Sequence, residues 1–211
     1  MQILQIILST VVSYLVGAIP TGYLFGKYIK GIDIRKHGSG NMGATNAFRV
    51  LGKGAGAADL ILDILKGVIP TTIVANALGM DSILARVFLG VVAVVGHNWT
   101  VFLNFKGGKG IAASLGVLIG LTIAIDTVRP ILVYTLLSWV VIFALSGYVS
   151  LASIIAATVL PVTAVLTYQD IVIIYLGIIF CLFVVIRHRP NIKRLLKGEE
   201  SRIFRPFWKR K

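Results

Sequence analysis

The sequence predicts an all-α integral membrane protein of seven transmembrane helices, with its N-terminus outside and its C-terminus in the cytoplasm. Composition, the length of the apolar segments and the placement of Lys and Arg carry that expectation. Of 211 residues, 57% are hydrophobic and 14% charged, and the mean hydropathy is +0.90, far above a soluble domain. A hydrocarbon layer of ~30 Å takes about 20 mostly apolar residues per helix, fewer where neighbours or local thinning help. Seven segments fit: roughly 3–24, 55–77, 83–103, 111–125, 131–145, 151–166 and 171–186, the fourth to sixth being short. Their interiors lack strand-like polar alternation, and backbone groups in lipid must be satisfied internally, so helices are expected rather than a barrel.

In chain order, the first segment reads as a retained span and not a cleaved leader, because no basic residue precedes it and the first charge is Lys27. The second carries Asp59, Asp63 and Lys66, spaced four and three apart and therefore on one helix face. Charges inside a span pair within the bundle or mark a functional path. Asp63 and Lys66 are spaced to pair with each other, and the three are expected to form a supporting network beneath a site; a proton or ion pathway is the alternative. The last segment holds the single cysteine, Cys181, which excludes an internal disulfide and reads as inert packing.

Charge placement orients the bundle. The loop after the first segment holds Lys27, Lys30, Arg35, Lys36, Arg49 and Lys53, the loop after the third holds Lys106 and Lys109, and the chain from Arg187 onward adds ten more Lys and Arg. The opposite loops hold only Arg86 and Arg129 among basic residues, against Asp81, Asp126 and Asp170. By the positive-inside rule the 18 on the first side face the cytoplasm. No internal repeat or linker interrupts the chain, so one membrane-embedded domain is expected over 1–211, with a basic cytoplasmic tail at 192–211. The net charge of +13 follows from this topology and from attraction to anionic membrane lipids, at ~1 kcal/mol per basic residue near the surface. Phe204, Phe207 and Trp208 among the tail's cations suit the interface and not nucleic acid.

Four polar stretches interrupt the apolar chain at alternate segment ends, so all are expected on the cytoplasmic face. In 38–46, three glycines let the backbone approach a ligand closely, while Ser39, Asn41, Thr45 and Asn46 offer hydrogen bonds. A helix starting near Thr45 would direct free amides at a phosphate, with Arg49 one turn along; the bland alternative is a polar turn capping a helix. In 96–110, His97 and Trp99 precede Lys106-Gly107-Gly108-Lys109-Gly110, where glycines offer a nest of amides and Lys109 mobile charge. This is not a nucleotide P-loop, which would need Gly at Leu103 and Ser or Thr at Gly110. In 147–153, Ser150 and Ser153 are three apart and share one face of a helix beginning there; helix packing is the alternative. The last stretch, 187–194, sets His188 and Asn191 among cations.

The motifs G-S-G-N-x-G-A-T-N, G-H-x-x-x-V-F-x-x-F-K-G-G-K-G, Y-V-S-L-A-S and H-R-x-N-I-x-R-L-x-x-G together resemble the bacterial acyl-phosphate:glycerol-3-phosphate acyltransferase family, from the first loop to the tail. The resemblance implies seven helices in the bacterial inner membrane and a cytoplasm-facing site. The implied reaction moves an acyl chain from long-chain acyl phosphate to glycerol 3-phosphate, making lysophosphatidic acid and phosphate, the first acylation of phospholipid biosynthesis. It implies catalytic roles for Ser39, Lys109 and Ser153 and substrate binding by Arg49, His188 and Asn191, with amides around 106–110 holding phosphate. Asn41, Thr45, Asn46, His97, Lys106, Gly107, Gly108, Gly110 and Ser150 match the pattern as well and join the substrate-binding set.

Acyl phosphate already carries a good leaving group, so alignment and charge stabilisation suffice without a covalent intermediate. No general base accompanies the serines: a His-x-x-x-x-Asp pattern is missing, since Phe102, Met42 and Lys193 stand five beyond His97, His37 and His188. Substrate assistance, in which a phosphate oxygen takes the hydroxyl proton, is therefore expected. No metal or cofactor is expected, because the histidines are isolated and the acidic residues lie mostly on the far face or in one span. Two other classes fit less of the chain. A phosphate transporter explains the cationic loops and the intramembrane charges but usually binds at the midplane, and a scaffold needs only the topology.

Overall fold

The structure, a computed structural model, describes residues 2–204. Residues 205–211, the aromatic and basic end of the tail expected at the interface, lie outside the described residues. All regular structure among the described residues is helical, and the chain packs as two compact units, Met1–Ala124 and Ile125–Lys211.

Unit 1 begins with α1 (Gln2–Ala18) and α2 (Thr21–Lys30), which meet at an angle of 40°. The first segment is therefore not one straight span. Pro20 supplies no N–H and breaks the ladder between the two helices. The carbonyl of Ala18, at the end of α1, accepts a hydrogen bond from Thr100 Oγ1 at 2.5 Å, a contact that ties the break to the far end of another helix. A short 3-10 turn, Ile34–Lys36, leads to α3 (Ala44–Val50) and α4 (Lys53–Ile69). The second segment is likewise interrupted: α4 runs into a π-helical turn, Pro70–Val74, and the single turn α5 (Ala75–Ala77). A π turn leaves backbone groups off register, and Arg86 takes up one of them, donating to Thr71 O at 2.8 Å while it also binds Asn76 Oδ1 and Asp81.

The next helices are α6 (Ile83–Asn98) and α7 (Ile111–Ala124). α6 stops five residues before the expected end of the third segment, and the chain turns through Trp99 into a 3-10 turn, Val101–Leu103. Tyr14 OH donates to Trp99 O at 2.7 Å, fastening that end to α1. The most extensive helix pairings of unit 1 are α4 on α7 and α1 on α6. In the first, Gly67 faces the backbone of Ala113 and Gly116 that of Ile64; a Cβ at either glycine would overlap a carbonyl oxygen of the opposite helix. Small residues let membrane helices approach to backbone contact, which dispersion then rewards.

Unit 2 contains α8 (Arg129–Ser146), α9 (Val149–Leu166), α10 (Ile171–Arg187) and α11 (Arg189–Leu196). α9 packs between α8 and α10. α8 leaves Val133, Tyr134, Leu137, Val140, Val141 and Leu145 exposed, an apolar face suited to lipid. α11 departs from α10 at a bend of 62° and carries Pro190 in its first turn, in keeping with proline's fit there.

Three helical stretches, Ile83–Leu103, Asp126–Ser146 and Val149–Leu166, are by length and composition able to cross a membrane, and five if each bent pair is one span; α7 is a shorter apolar helix.

Replacing Gly116 by Val is expected to destabilise unit 1 by roughly 1–3 kcal/mol through overpacking, read as a lower melting temperature in detergent. Val133→Ala on the exposed face of α8 serves as the comparison and should move it little.

Candidate functional site

The first glycine-rich stretch is built around one side chain. Asn46, fully buried in α3, accepts from Ser39 N at 2.8 Å and donates through Nδ2 to the carbonyls of Asn41 (2.7 Å), His37 (3.0 Å) and Ile34 (3.2 Å). Its amide thus organises the turn, with backbone partners at both its oxygen and its nitrogen. Asn41 Oδ1 accepts from Gly43 N at 2.8 Å, an Asx turn that starts α3. The helix does begin where expected, at Ala44, but has only 7 residues. Its dipole is short, and the amides of Ser39, Gly40 and Gly43 already have partners within the loop. What the stretch presents outward are the side chains of Ser39, Thr45 and Arg49, all exposed.

Just before this loop, Asp33 caps the 3-10 turn and grips Arg35 through two side-chain hydrogen bonds of 3.0 and 2.8 Å. Those bonds hold the Asp33 carboxyl down at about 2. The guanidinium also stacks 5.0 Å over the Tyr23 ring.

The second stretch is folded onto the end of α6. Gly107 N donates to Asn98 O at 3.2 Å and Gly108 N to His97 O at 3.0 Å, while Lys106 N donates to Leu103 O at 3.1 Å. Of the amides expected to hold phosphate around 106–110, those of Lys106, Gly107 and Gly108 thus bond to the backbone of 97–103. Lys106 is exposed and Lys109 half-buried, so cationic side chains carry the loop's attraction for anions. His97 is buried beneath the loop, not displayed on it.

The two stretches meet. Gly40 and Met42 from the first and Lys106 and Gly107 from the second line one cleft with Asp33, Arg35 and Lys36, a cavity of about 330 Å³. With Arg35 matched by Asp33, Lys36 and Lys106 give the cleft its net positive charge, a setting for a small anion.

Beneath the loops, Asp59, Asp63 and Lys66 are all buried. Lys66 Nζ donates to Asp63 Oδ1 at 2.5 Å and to Thr21 Oγ1 at 2.8 Å, so the expected pairing is present and includes a threonine that sequence reading missed.

In unit 2, Ser150 and Ser153 both lie buried near the start of α9. Ser153 Oγ accepts from Trp139 Nε1 at 3.2 Å. Ser150 Oγ donates to Glu200 Oε1 at 2.7 Å, Asn191 Nδ2 to the same oxygen at 2.6 Å, and Arg194 Nε to Oε2 at 2.6 Å. Burial alone would raise the Glu200 carboxyl, but these three bonds prevail and lower it. Glu200 was missed; the signal was Glu199-Glu200 as the only acids in a strongly basic tail. His188, buried where α10 bends into α11, places Nδ1 2.8 Å from Val184 O. A carbonyl only accepts, so Nδ1 carries a hydrogen.

The described part of the tail does not simply rest at an interface. Ile203 N donates to Gly147 O at 2.9 Å, Arg202 lies 4.6 Å over the Tyr148 ring, and Phe204 meets Phe143 edge-on at 5.2 Å. No group of His, Cys, Asp and Glu with metal-binding geometry occurs among the described residues.

A family model described as glycerol-3-phosphate acyltransferase matches residues 7–198. The glycerol-3-phosphate acyltransferase of Desulforudis audaxviator is 46% identical, over 96% of this chain and 98% of its own. That of Fusobacterium nucleatum is 44% identical, over 91% and 95%. The crystal structure of PlsY (YgiH), an integral membrane glycerol 3-phosphate acyltransferase, in its glycerol 3-phosphate form superposes with a TM-score of 0.84 at 38% identity, covering 94% of this chain and 96% of that chain. Its lysophosphatidic acid form gives 0.81 at 37% identity.

Glu200→Ala should destabilise unit 2 by about 1–3 kcal/mol, since it leaves buried donors without an acceptor. Because its folded value lies below the ordinary 4.5, the carboxylate's contribution is complete above that pH and fades as the pH falls through the folded value. Melting temperatures followed from neutral to acid pH should therefore decline less steeply for Glu200→Gln than for the parent.

Proposed function

The chain belongs to the glycerol-3-phosphate acyltransferase family, and from that premise we propose that it transfers a fatty acyl chain from acyl phosphate directly to glycerol 3-phosphate. The products are 1-acyl-glycerol 3-phosphate and inorganic phosphate. The observation that most supports the reading is the cationic cleft of unit 1, where two loops that are distant in sequence bring Gly40, Lys106 and Gly107 together with Arg35 and Lys36. Neither a scaffold nor a pore needs such a cleft at the loop end of the helices.

The proposed topology has seven crossings, the N-terminus outside and the loops around Ser39 and Lys109 in the cytoplasm, in the inner membrane of a bacterium. The excess of Lys and Arg in those loops supports it. The acyl donor would reach the protein from lipid and the polar acceptor from water.

In the reaction, the glycerol hydroxyl oxygen attacks the acyl carbonyl carbon, the bond from that carbon to the phosphate oxygen breaks, and the proton passes to a phosphate oxygen. A phosphate monoester with a second pKa of ~6 can accept it near neutral pH. Positioning supplies up to ~7–11 kcal/mol of such a barrier, and each well-aimed donor to a developing oxyanion ~3–4. Within unit 1, Lys109 and Arg49 clamp phosphate, assisted by Lys106, and Ser39 orients substrate by hydrogen bonding. Asn41, Asn46, Gly107, Gly108 and Gly110 give the two loops their shape. Within unit 2, Ser153 orients substrate, and His188 with Asn191 holds the glycerol end. A serine whose hydroxyl accepts an indole N–H suits orientation better than nucleophilic attack.

The test is product formation by purified protein in lipid, from labelled glycerol 3-phosphate with long-chain acyl phosphate and then with acyl-CoA. Lysophosphatidic acid from acyl phosphate alone, reduced about 100-fold or more by Lys109→Ala, is the expected result. Trapping an acyl adduct on Ser39 or Ser153 with donor alone would replace direct transfer by a two-step scheme. No product from folded protein with either donor would overturn the enzyme reading and turn attention to phosphate flux in vesicles.

A further inference from the structure

Within unit 1 a chain of contacts leads from the buried charges of α4 to the backbone of the lysine loop. Asp63 Oδ1 accepts from Lys66 Nζ at 2.5 Å and from Thr21 Oγ1 at 3.1 Å. His97 Nδ1 stands 3.6 Å from that same oxygen. This is longer than a hydrogen bond, but the side chains are only 3% and 4% exposed, so ring and carboxyl group meet away from solvent. The opposite edge of the ring fills the space beside Gly108, where an added Cβ would fall on His97 Nε2. The carbonyls of His97 and Asn98 meanwhile accept the N–H groups of Gly108 and Gly107. One residue therefore touches the charge network with its ring and the loop with both ring and backbone.

Lys66 and Thr21 both donate to Oδ1, and His97 approaches that same oxygen from a third residue. The approach of His97 connects the carboxyl group to Lys106 and Lys109 through the two glycines that lie between them. We propose that Asp63 is a positioning residue for this loop: acting through His97, it holds the backbone at Gly107 and Gly108 and so sets where the two lysines stand. The inference rests on the reading of the loop as a phosphate cradle, and it extends that reading from the lysines to the helix beneath them. It also explains why glycine is required at 108: the imidazole occupies the volume of any side chain there.

The test uses the full chain in lipid nanodiscs, comparing the parent with Asp63→Asn, His97→Ala and the double variant by two measurements. Amide hydrogen exchange over 105–110 reports on the loop without requiring activity, and KM for glycerol 3-phosphate against kcat reports the consequence. Each single variant is expected to speed exchange in the loop and raise KM about tenfold, with kcat changed by less than about threefold. The double variant should match the worse single, because both act along one chain of contacts. Asp63→Asn leaves the Lys66 ammonium buried without its carboxylate; where that variant does not fold, Asp63→Asn/Lys66→Met, which removes both charges, takes its place. Effects on KM that multiply in the double variant, or exchange that quickens in α4 while the loop is unchanged, would overturn the proposal. A parent protein that makes no product from glycerol 3-phosphate removes the acyltransfer reading instead, and the exchange data still decide whether Asp63 holds the loop.

Discussion

Polar groups at membrane depth have no water to turn to, so each must find its partner inside the protein. In unit 1 that requirement shapes three places in the interior. The break that Pro20 puts into the first apolar segment leaves the end of α1 open, and Thr100 answers it from the turn just beyond α6. The π turn after α4 frees the carbonyl of Thr71, and Arg86 answers that one. Lys66, Asp63 and Thr21 close around one another. Each solution ties two helices together, so satisfying the backbone and assembling the bundle are one process. Where no polar pairing is available, glycines bring α4 and α7 to backbone contact and dispersion takes over.

The same requirement reaches the loops and changes what they offer a ligand. A glycine-rich loop attracts phosphate through free amides when those amides point outward. Here Asn46 draws the first loop around its own side chain, and the second loop donates its amides to the end of α6. The loops are thus shaped by their own backbone hydrogen bonds, with lysine, arginine and serine side chains as their chemical face. This division suits the transfer proposed above, whose donor would arrive already activated: the protein would have to hold two anionic reactants in register, with shaped backbone beneath cationic side chains.

Unit 2 solves a comparable problem with an acid. Glu200 gathers Ser150, Asn191 and Arg194, and the residues after it fold back on the turn between α8 and α9. A segment that composition marks as a basic tail is, up to Phe204, part of the unit's packing. Net charge describes solubility and surface attraction, but a single carboxylate among many cations is placed by its partners.

Helical class, the approximate extent of the apolar segments and the location of the polar stretches were legible in the chain itself. Hydropathy and charge are properties of each residue, and a bilayer sorts residues by those properties along one dimension. The ends of α7, α9 and α10 accordingly fall within two residues of the apolar limits. Even Pro20 was visible, although averaging over the segment concealed the bend it causes. What only the tertiary structure decided is which polar side chains serve the protein and which face outward. Ser150 and Glu200 are 50 residues apart, and Thr100 and Ala18 are 82. Hydrogen bonds depend on proximity and direction to within fractions of an ångström, and packing creates those only after the chain has folded. Asn46 and Thr45 look alike as motif residues; burial made one the core of a turn and left the other at the surface.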